Sequence, residues 1–125
     1  MEPTTEQNFP QTVPPHDAAA EGAVLASMLL DKEALSLAVE ILHGEDFYRP
    51  DYRMIFEAAA ELFHQGVPVD VLTVKNKLEE KGQFEQIGGI SFLAELSNSI
   101  GSSVNVRHYA RIVEEKSVLR RLIHT

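Results

Sequence analysis

Apolar residues recur along this chain at helical spacing, in six blocks separated by turn-forming residues. The clearest stripe is Leu35, Ala38, Val39 and Leu42, at i, i+3, i+4 and i+7, which predicts a helix over about 32–43. Before it, Val24, Leu25, Met28 and Leu29 give the inner face of a helix over about 18–30. Gly22 inside that helix costs about 1 kcal/mol relative to alanine but lets a neighbour approach closely. A third helix, about 52–65, lines Ile55, Phe56, Ala59, Leu62 and Phe63 on one face, with Ala58-Ala59-Ala60 keeping its waist thin. A fourth, about 71–81, turns Val71, Val74 and Leu78 inward, and a fifth, about 89–98, turns Ile90, Leu93 and Leu96 inward. The last block starts at Asn105 and meets no glycine or proline stop before Thr125.

The punctuation agrees with these spans. Asp17, Asp31, Asp51, Asp70 and Asn105 each stand where a short polar side chain can cap a helix start. Gly44, Gly66 and Gly82 are placed to close helices. Glu45 to Pro50 reads as a connector with one turn of helix and two aromatics, Phe47 and Tyr48, to plug a core. The alternation in Val67-Pro68-Val69-Asp70 is too short for a sheet. The expected fold class is all-α, a compact bundle of about six helices joined by short loops. Residues 1–15, with four prolines and no apolar period, read as an N-terminal arm in front of a globular head over 16–101.

Composition narrows the function. The 125 residues suffice for one domain with an ordinary core. Cysteine is absent, so disulfides and zinc–thiolate sites are excluded, and a reducing cytoplasm is the expected location. There is no signal-peptide pattern and no apolar run of membrane-spanning length. Charge is divided unevenly. Residues 105–125 carry five basic residues against two acids, about +3, which leaves about −11 of the total −8 to the rest. An acidic head opposes phosphate binding and favours protein partners.

Candidate chemistry is thin. Phosphate-loop and dinucleotide-binding glycine patterns are missing. Gly88-Gly89 could cradle an anion at a helix start, but a tight turn explains it better, since no basic residue stands nearby and Glu85 does. The five histidines never pair at i+3 or i+4, and His43 and His64 near helix ends are accounted for by the helix dipole. Adjacent acids such as Glu114 and Glu115 point about 100° apart on a helix and do not converge. No serine sits in a nucleophile elbow. The reading is a chain without catalytic, metal or cofactor residues of its own. Two surface features remain. Phe92 is rotated off the Leu93/Leu96 stripe, and the last helix carries two stripes, Val106/Tyr109/Val113 and Ile112/Leu119/Leu122/Ile123. A second stripe calls for a second partner.

Five ordered segments then carry a resemblance. They are Ala20-Glu21-x-Ala23-Val24-Leu25 with Leu29-Leu30-Asp31; Glu45-Asp46-Phe47-Tyr48 with Arg53-x-Ile55-Phe56; Gly66-x-Pro68-Val69-Asp70-x-x-Thr73-Val74; Gly88-Gly89-x-x-Phe92-Leu93-x-Glu95-Leu96; and Asn105-x-x-x-Tyr109-Ala110-x-Ile112-Val113-x-Glu115-Lys116-x-x-Leu119-Arg120-x-Leu122-Ile123. Together they resemble the N-terminal domain of bacterial replicative DNA helicases of the DnaB type, over about residues 15–123. Two departures are small: Phe92 stands where tyrosine is usual, and Ser102-Ser103-Val104 replaces a more usual Pro/Ala-containing loop. The resemblance implies a helical head followed by a helical hairpin, with 102–125 as the start of its first arm and the second arm outside this chain. It implies a collar of such domains, a trimer of dimers, above a ring of separate ATP- and Mg-dependent motor domains. It also implies primase and a helicase loader as partners, DNA as a partner of the whole protein, and a monomer or weak dimer for this stretch alone. By exposure and residue type, Phe92, Tyr109, Arg120 and Ile123 are the interface candidates. Three other readings stay open at this point. One is the helicase-binding domain of primase, another a small helical enzyme whose site is completed in an oligomer, and the third a helix-turn-helix over Val67–Gly82.

Overall fold

Short polar side chains hold the first free N–H groups of four helices. In the computed structural model, which describes residues 13–99 and 105–123, Asp17 accepts from the Ala20 N–H, Asp31 from Glu33, Asp70 from Thr73 and Asn105 from His108. The helices that follow are α1 (Ala18–Leu30), α2 (Lys32–Ile41), α3 (Pro50–His64), α4 (Val71–Glu80), α5 (Gly89–Asn98) and α6 (Val106–Ile123). A 3-10 turn, Gly44–Asp46, lies between α2 and α3. Among the described residues there is no strand, and the fold is all-α as expected. The expected arm is described only from Val13 onward; the loop at Gly101-Ser102-Ser103 lies outside the described residues.

α1 is the central element. It packs against α2, α3, α5 and α6, and it is buried nearly all round, with Val24, Leu25, Ala26 and Met28 closed from solvent. Gly22 gives it one close contact: a Cβ there would stand 3.1 Å from the Tyr52 hydroxyl on α3. α3 contributes Ile55, Phe56, Ala58, Ala59 and Leu62 to the core, α4 adds Val74 and Leu78, and α5 adds Leu93 and Leu96. Phe47, from the connector, is 0% exposed and lies against Phe56 with ring centroids 4.9 Å apart.

Four local expectations differ from the structure. Asp51 does not cap α3. The helix starts two residues earlier than expected, at Pro50, whose fixed φ and missing N–H suit the first helical position. Asp51 instead turns back to accept from Arg49 Nη2 at 2.7 Å and from the Tyr52 N–H at 2.7 Å. Gly44 does not close α2, which ends at Ile41 with Leu42 as its C-cap; Gly44 opens the 3-10 turn, where a Cβ would run into the Glu57 side chain. Ile90 is 49% exposed, because it sits in the first turn of α5 beyond the core's edge; Ile87, in the preceding turn, is buried instead. Phe63, in the last turn of α3, is also exposed.

Removing the Phe47 ring leaves a void between the connector and α3. Phe47→Ala is expected to cost about 3–5 kcal/mol, read as a lower urea midpoint with an unchanged m-value.

Candidate protein-interaction site

The inner face of α6 is Val106, Ala110, Val113 and Ser117, at i, i+4, i+7 and i+11. The first three are apolar. Ser117 is only 2% exposed, and its hydroxyl donates to Asp46 Oδ1 at 2.7 Å. Asp46 is itself buried at the end of the 3-10 turn, where Oδ2 accepts from the His43 N–H at 2.7 Å. Arg121 Nη1 donates to the Ser117 hydroxyl at 2.9 Å and reaches Asp46 Oδ1 at 3.4 Å. Arg120 spans two segments: Nη2 donates to the Asp46 carbonyl at 2.7 Å and Nη1 to the Pro15 carbonyl at 2.9 Å. A buried carboxylate is tolerated only with such partners, and here they come from two separated stretches of chain, His43 beside the turn and Ser117 with Arg121 on α6.

A second buried carboxylate braces the same connector from the other side. Glu21 of α1 accepts from the Tyr48 N–H at 2.8 Å and from the Arg49 N–H at 3.4 Å. Burial pushes its carboxyl above the usual range, against the opposing pull of those backbone donors and of Arg120 and His16. Neither acid was a candidate from residue type. Yet Glu21 precedes Val24, Leu25 and Met28 by three, four and seven residues, so the helical period already places it on the buried stripe. Ser117 follows Ala110 and Val113 in the same way. Asp46 carries no such signal.

The four interface candidates lie in different places. Ile123 is 65% exposed and Leu122 66%; with Val118 and Leu119 they form an apolar ridge on the outer face of α6. Glu114 and Glu115 border this ridge across a shallow depression of about 420 Å³. Arg120 is half-buried, turned toward the head and bonded as described. Tyr109 is half-buried near the start of α6, beside His108 with ring centroids 5.3 Å apart. Tyr109 and Ile123 are roughly 20 Å apart along the helix axis. Phe92 sits on the head at an aromatic cluster. Its ring centroid is 6.0 Å from that of Tyr52, and the Arg49 guanidinium lies 4.1 Å from the Tyr52 centroid and 5.7 Å from that of Phe92. Asp51 accepts from Nε and Nη2 of Arg49 and so orients the cation against the rings. Phe92, Tyr52 and Gly22 line a groove of about 350 Å³ between α1 and α5.

Among the described residues no three His, Asp or Glu side chains gather as a metal site, and no helix is long and apolar enough to cross a membrane. The arrangement offers surfaces: an apolar ridge, an aromatic groove, and a polar junction that fixes how the ridge is presented. Residues 13–115 match the family model for the DnaB-like helicase N-terminal domain. The chain belongs to that family. Its relatives include the replicative DNA helicase DnaB of Geobacillus stearothermophilus, 50% identical over 117 residues, which is 94% of this chain and 26% of the relative. The replicative DNA helicase DnaC of Bacillus subtilis is 45% identical over 113 residues, 90% of this chain and 25% of the relative. The chain thus spans about a quarter of the length of these curated relatives. The crystal structure of the N-terminal domain of DnaB helicase from Mycobacterium tuberculosis superposes with a TM-score of 0.86 at 40% identity, covering 90% of this chain and 78% of that one. In this DnaB-type domain the matched region includes the connector, both buried acids and the first half of α6.

Two outcomes follow from the buried acids of the DnaB-type domain. Asp46→Ala strands the His43 N–H and the Ser117 hydroxyl and is expected to cost about 2–4 kcal/mol by denaturant titration. Glu21→Gln keeps an acceptor for the Tyr48 N–H but cannot ionise. Because the folded carboxyl has a raised pKa, the folded state takes up a proton more readily than the unfolded one. The ionised group therefore costs stability at pH 7, and that cost fades as pH falls through the raised value toward the unfolded one. Stability of the natural protein relative to Glu21→Gln should rise between pH 7 and about pH 4; a flat difference would show that Glu21 is not strained by burial.

Proposed function

We propose that this chain is the N-terminal interaction domain of a replicative DNA helicase, working in the cytoplasm at the replication fork and catalysing nothing itself. The observation that carries this is an apolar ridge on the outer face of α6 in a domain of the DnaB family. Its relatives named as replicative DNA helicases support the wider role. In this reading α6 is the first arm of a helical hairpin that follows the head. Paired hairpins assemble the domains as a trimer of dimers in the ring, and the collar so formed receives primase and the helicase loader. ATP and Mg are used in the motor domain of the whole protein, which is also what engages DNA. The chain by itself would be a monomer or weak dimer.

Phe92, Tyr109, Arg120 and Ile123 remain the proposed contacts, with distinct parts. Ile123 belongs to the ridge and supplies apolar area. Tyr109 marks the other end of α6. Phe92 opens the head groove. Arg120 acts through the junction, where its guanidinium is bonded to the Asp46 and Pro15 carbonyls.

Ile123→Asp places a charge on the ridge without touching the core. It is expected to weaken binding of a bacterial primase at least tenfold in a calorimetric titration while leaving far-UV helicity intact. Unchanged binding would remove the ridge from the primase interface. The purified chain is also expected to hydrolyse no ATP; robust turnover in a clean preparation would overturn the reading.

A further inference from the structure

We propose that residues 14–16 are a strap that fixes the direction of the distal half of α6, so that binding at the ridge depends on a segment at the opposite end of the chain. Only this last consequence rests on the reading of the ridge as a binding surface. The buried residues of α6 stop at Ser117. Beyond it, Val118 to Ile123 place no side chain in the core, and Arg120 and Arg121 make the polar contacts that return this stretch to the head. Arg120 is the member that reaches two places. Its two terminal nitrogens need two carbonyls at once, and one of them belongs to Pro15, 105 residues away in the chain.

The strap is built to hold that carbonyl in place. Pro14 and Pro15 restrict their own backbone and that of the residue before each. His16 stacks on Tyr48 with ring centroids 4.1 Å apart and an interplanar angle of 21°, and its Nδ1 lies 2.9 Å from the Pro14 carbonyl. The Arg120 guanidinium lies 5.6 Å from the Tyr48 ring centroid. Tyr48 is fixed in turn through its N–H to Glu21. His16, Tyr48 and Arg120 therefore form one packed unit joining the chain's start, the connector and α6. Immediately after it, Asp17 caps α1, so the strap is anchored at its other end by the central helix. Loss of the strap removes one of the two carbonyls of Arg120 and the ring that positions Tyr48. What remains is the bond to the Asp46 carbonyl and the contact with a Tyr48 ring that has lost its stacking partner, a looser hold on the guanidinium.

The test uses the full 125-residue chain and two altered forms, one lacking residues 1–16 but keeping Asp17, the other His16→Ala. Amide hydrogen exchange is followed residue by residue. The expected result is about tenfold faster exchange at residues 117–121 in the shortened form, a smaller increase in His16→Ala, and no change in the core amides of α3. Unchanged exchange at 117–121 in both forms overturns the strap. If the shortened form exchanges fast throughout, His16→Ala decides alone, by the same criterion at 117–121 against α3. Ile123→Asp separates the two ideas: it should leave exchange at 117–121 as it was while abolishing association through the ridge. Association unaffected by Ile123→Asp, together with strap-dependent exchange, rejects the ridge as an interface and leaves the strap standing.

Discussion

The carboxylate of Asp46 is the constraint on which the architecture depends. It is closed off from water, and its oxygens are met by the His43 N–H, the Ser117 hydroxyl and Arg121. Taking a charge out of water is costly, and a neutral apolar side chain could fill the volume with equal stability. What the acid adds is direction, since each of its bonds fixes a donor at a set distance. Three donors, one from the turn and two from α6, satisfy the acid in a single arrangement of turn and helix. Glu21 repeats the device from α1, holding the Tyr48 and Arg49 N–H groups. Between the two acids Phe47 enters the core. Six residues of connector thus join α1, α3 and α6, and do so by directional bonds around an apolar plug.

That arrangement also changes the meaning of the chain's charge. α6 is basic and the rest of the protein acidic. Two of the α6 cations, Arg120 and Arg121, are turned back from the outer face, where the Asp46 carboxylate and two carbonyls receive them beside the Ser117 hydroxyl of α6 itself. The charge asymmetry is in part an internal attraction between the last helix and the acidic body. A surface for phosphates would need those guanidinium groups presented outward and together. The outward face of the same turns is apolar instead.

Helix positions were largely legible because their signals are local. Asp17, Asp31, Asp70 and Asn105 cap through bonds two or three residues long, and Val24, Leu25 and Met28 show their period within one helix. The start of α3 was misplaced because Asp51 and Pro50 both suit a helix start, and proline's fixed φ prevailed at the first position. Ile90 was misplaced because periodicity tells which face a residue is on but not how far the core extends along the helix. The junction was the least legible part. Ser117 and Asp46 are 71 residues apart, and a single sequence carries no mark of a bond of that span. For the same reason Arg120 looked like surface, when its partners lie in two other segments.

The Ser117–Asp46 bond has a geometric consequence for the length of α6. Successive residues of a helix are rotated by about 100°, so the point at which Ser117 is fixed sets the azimuth of everything after it. One residue inserted between Arg121 and Leu122 would swing Leu122 and Ile123 to another side of the axis while the contacts of Ser117, Arg120 and Arg121 stayed satisfied. Four residues would nearly restore the bearing and shift it about 6 Å outward. The junction therefore acts as an index mark: it tolerates changes of whole turns in the helix beyond it and penalises all others, so the direction in which the ridge faces is encoded by counting as much as by residue type.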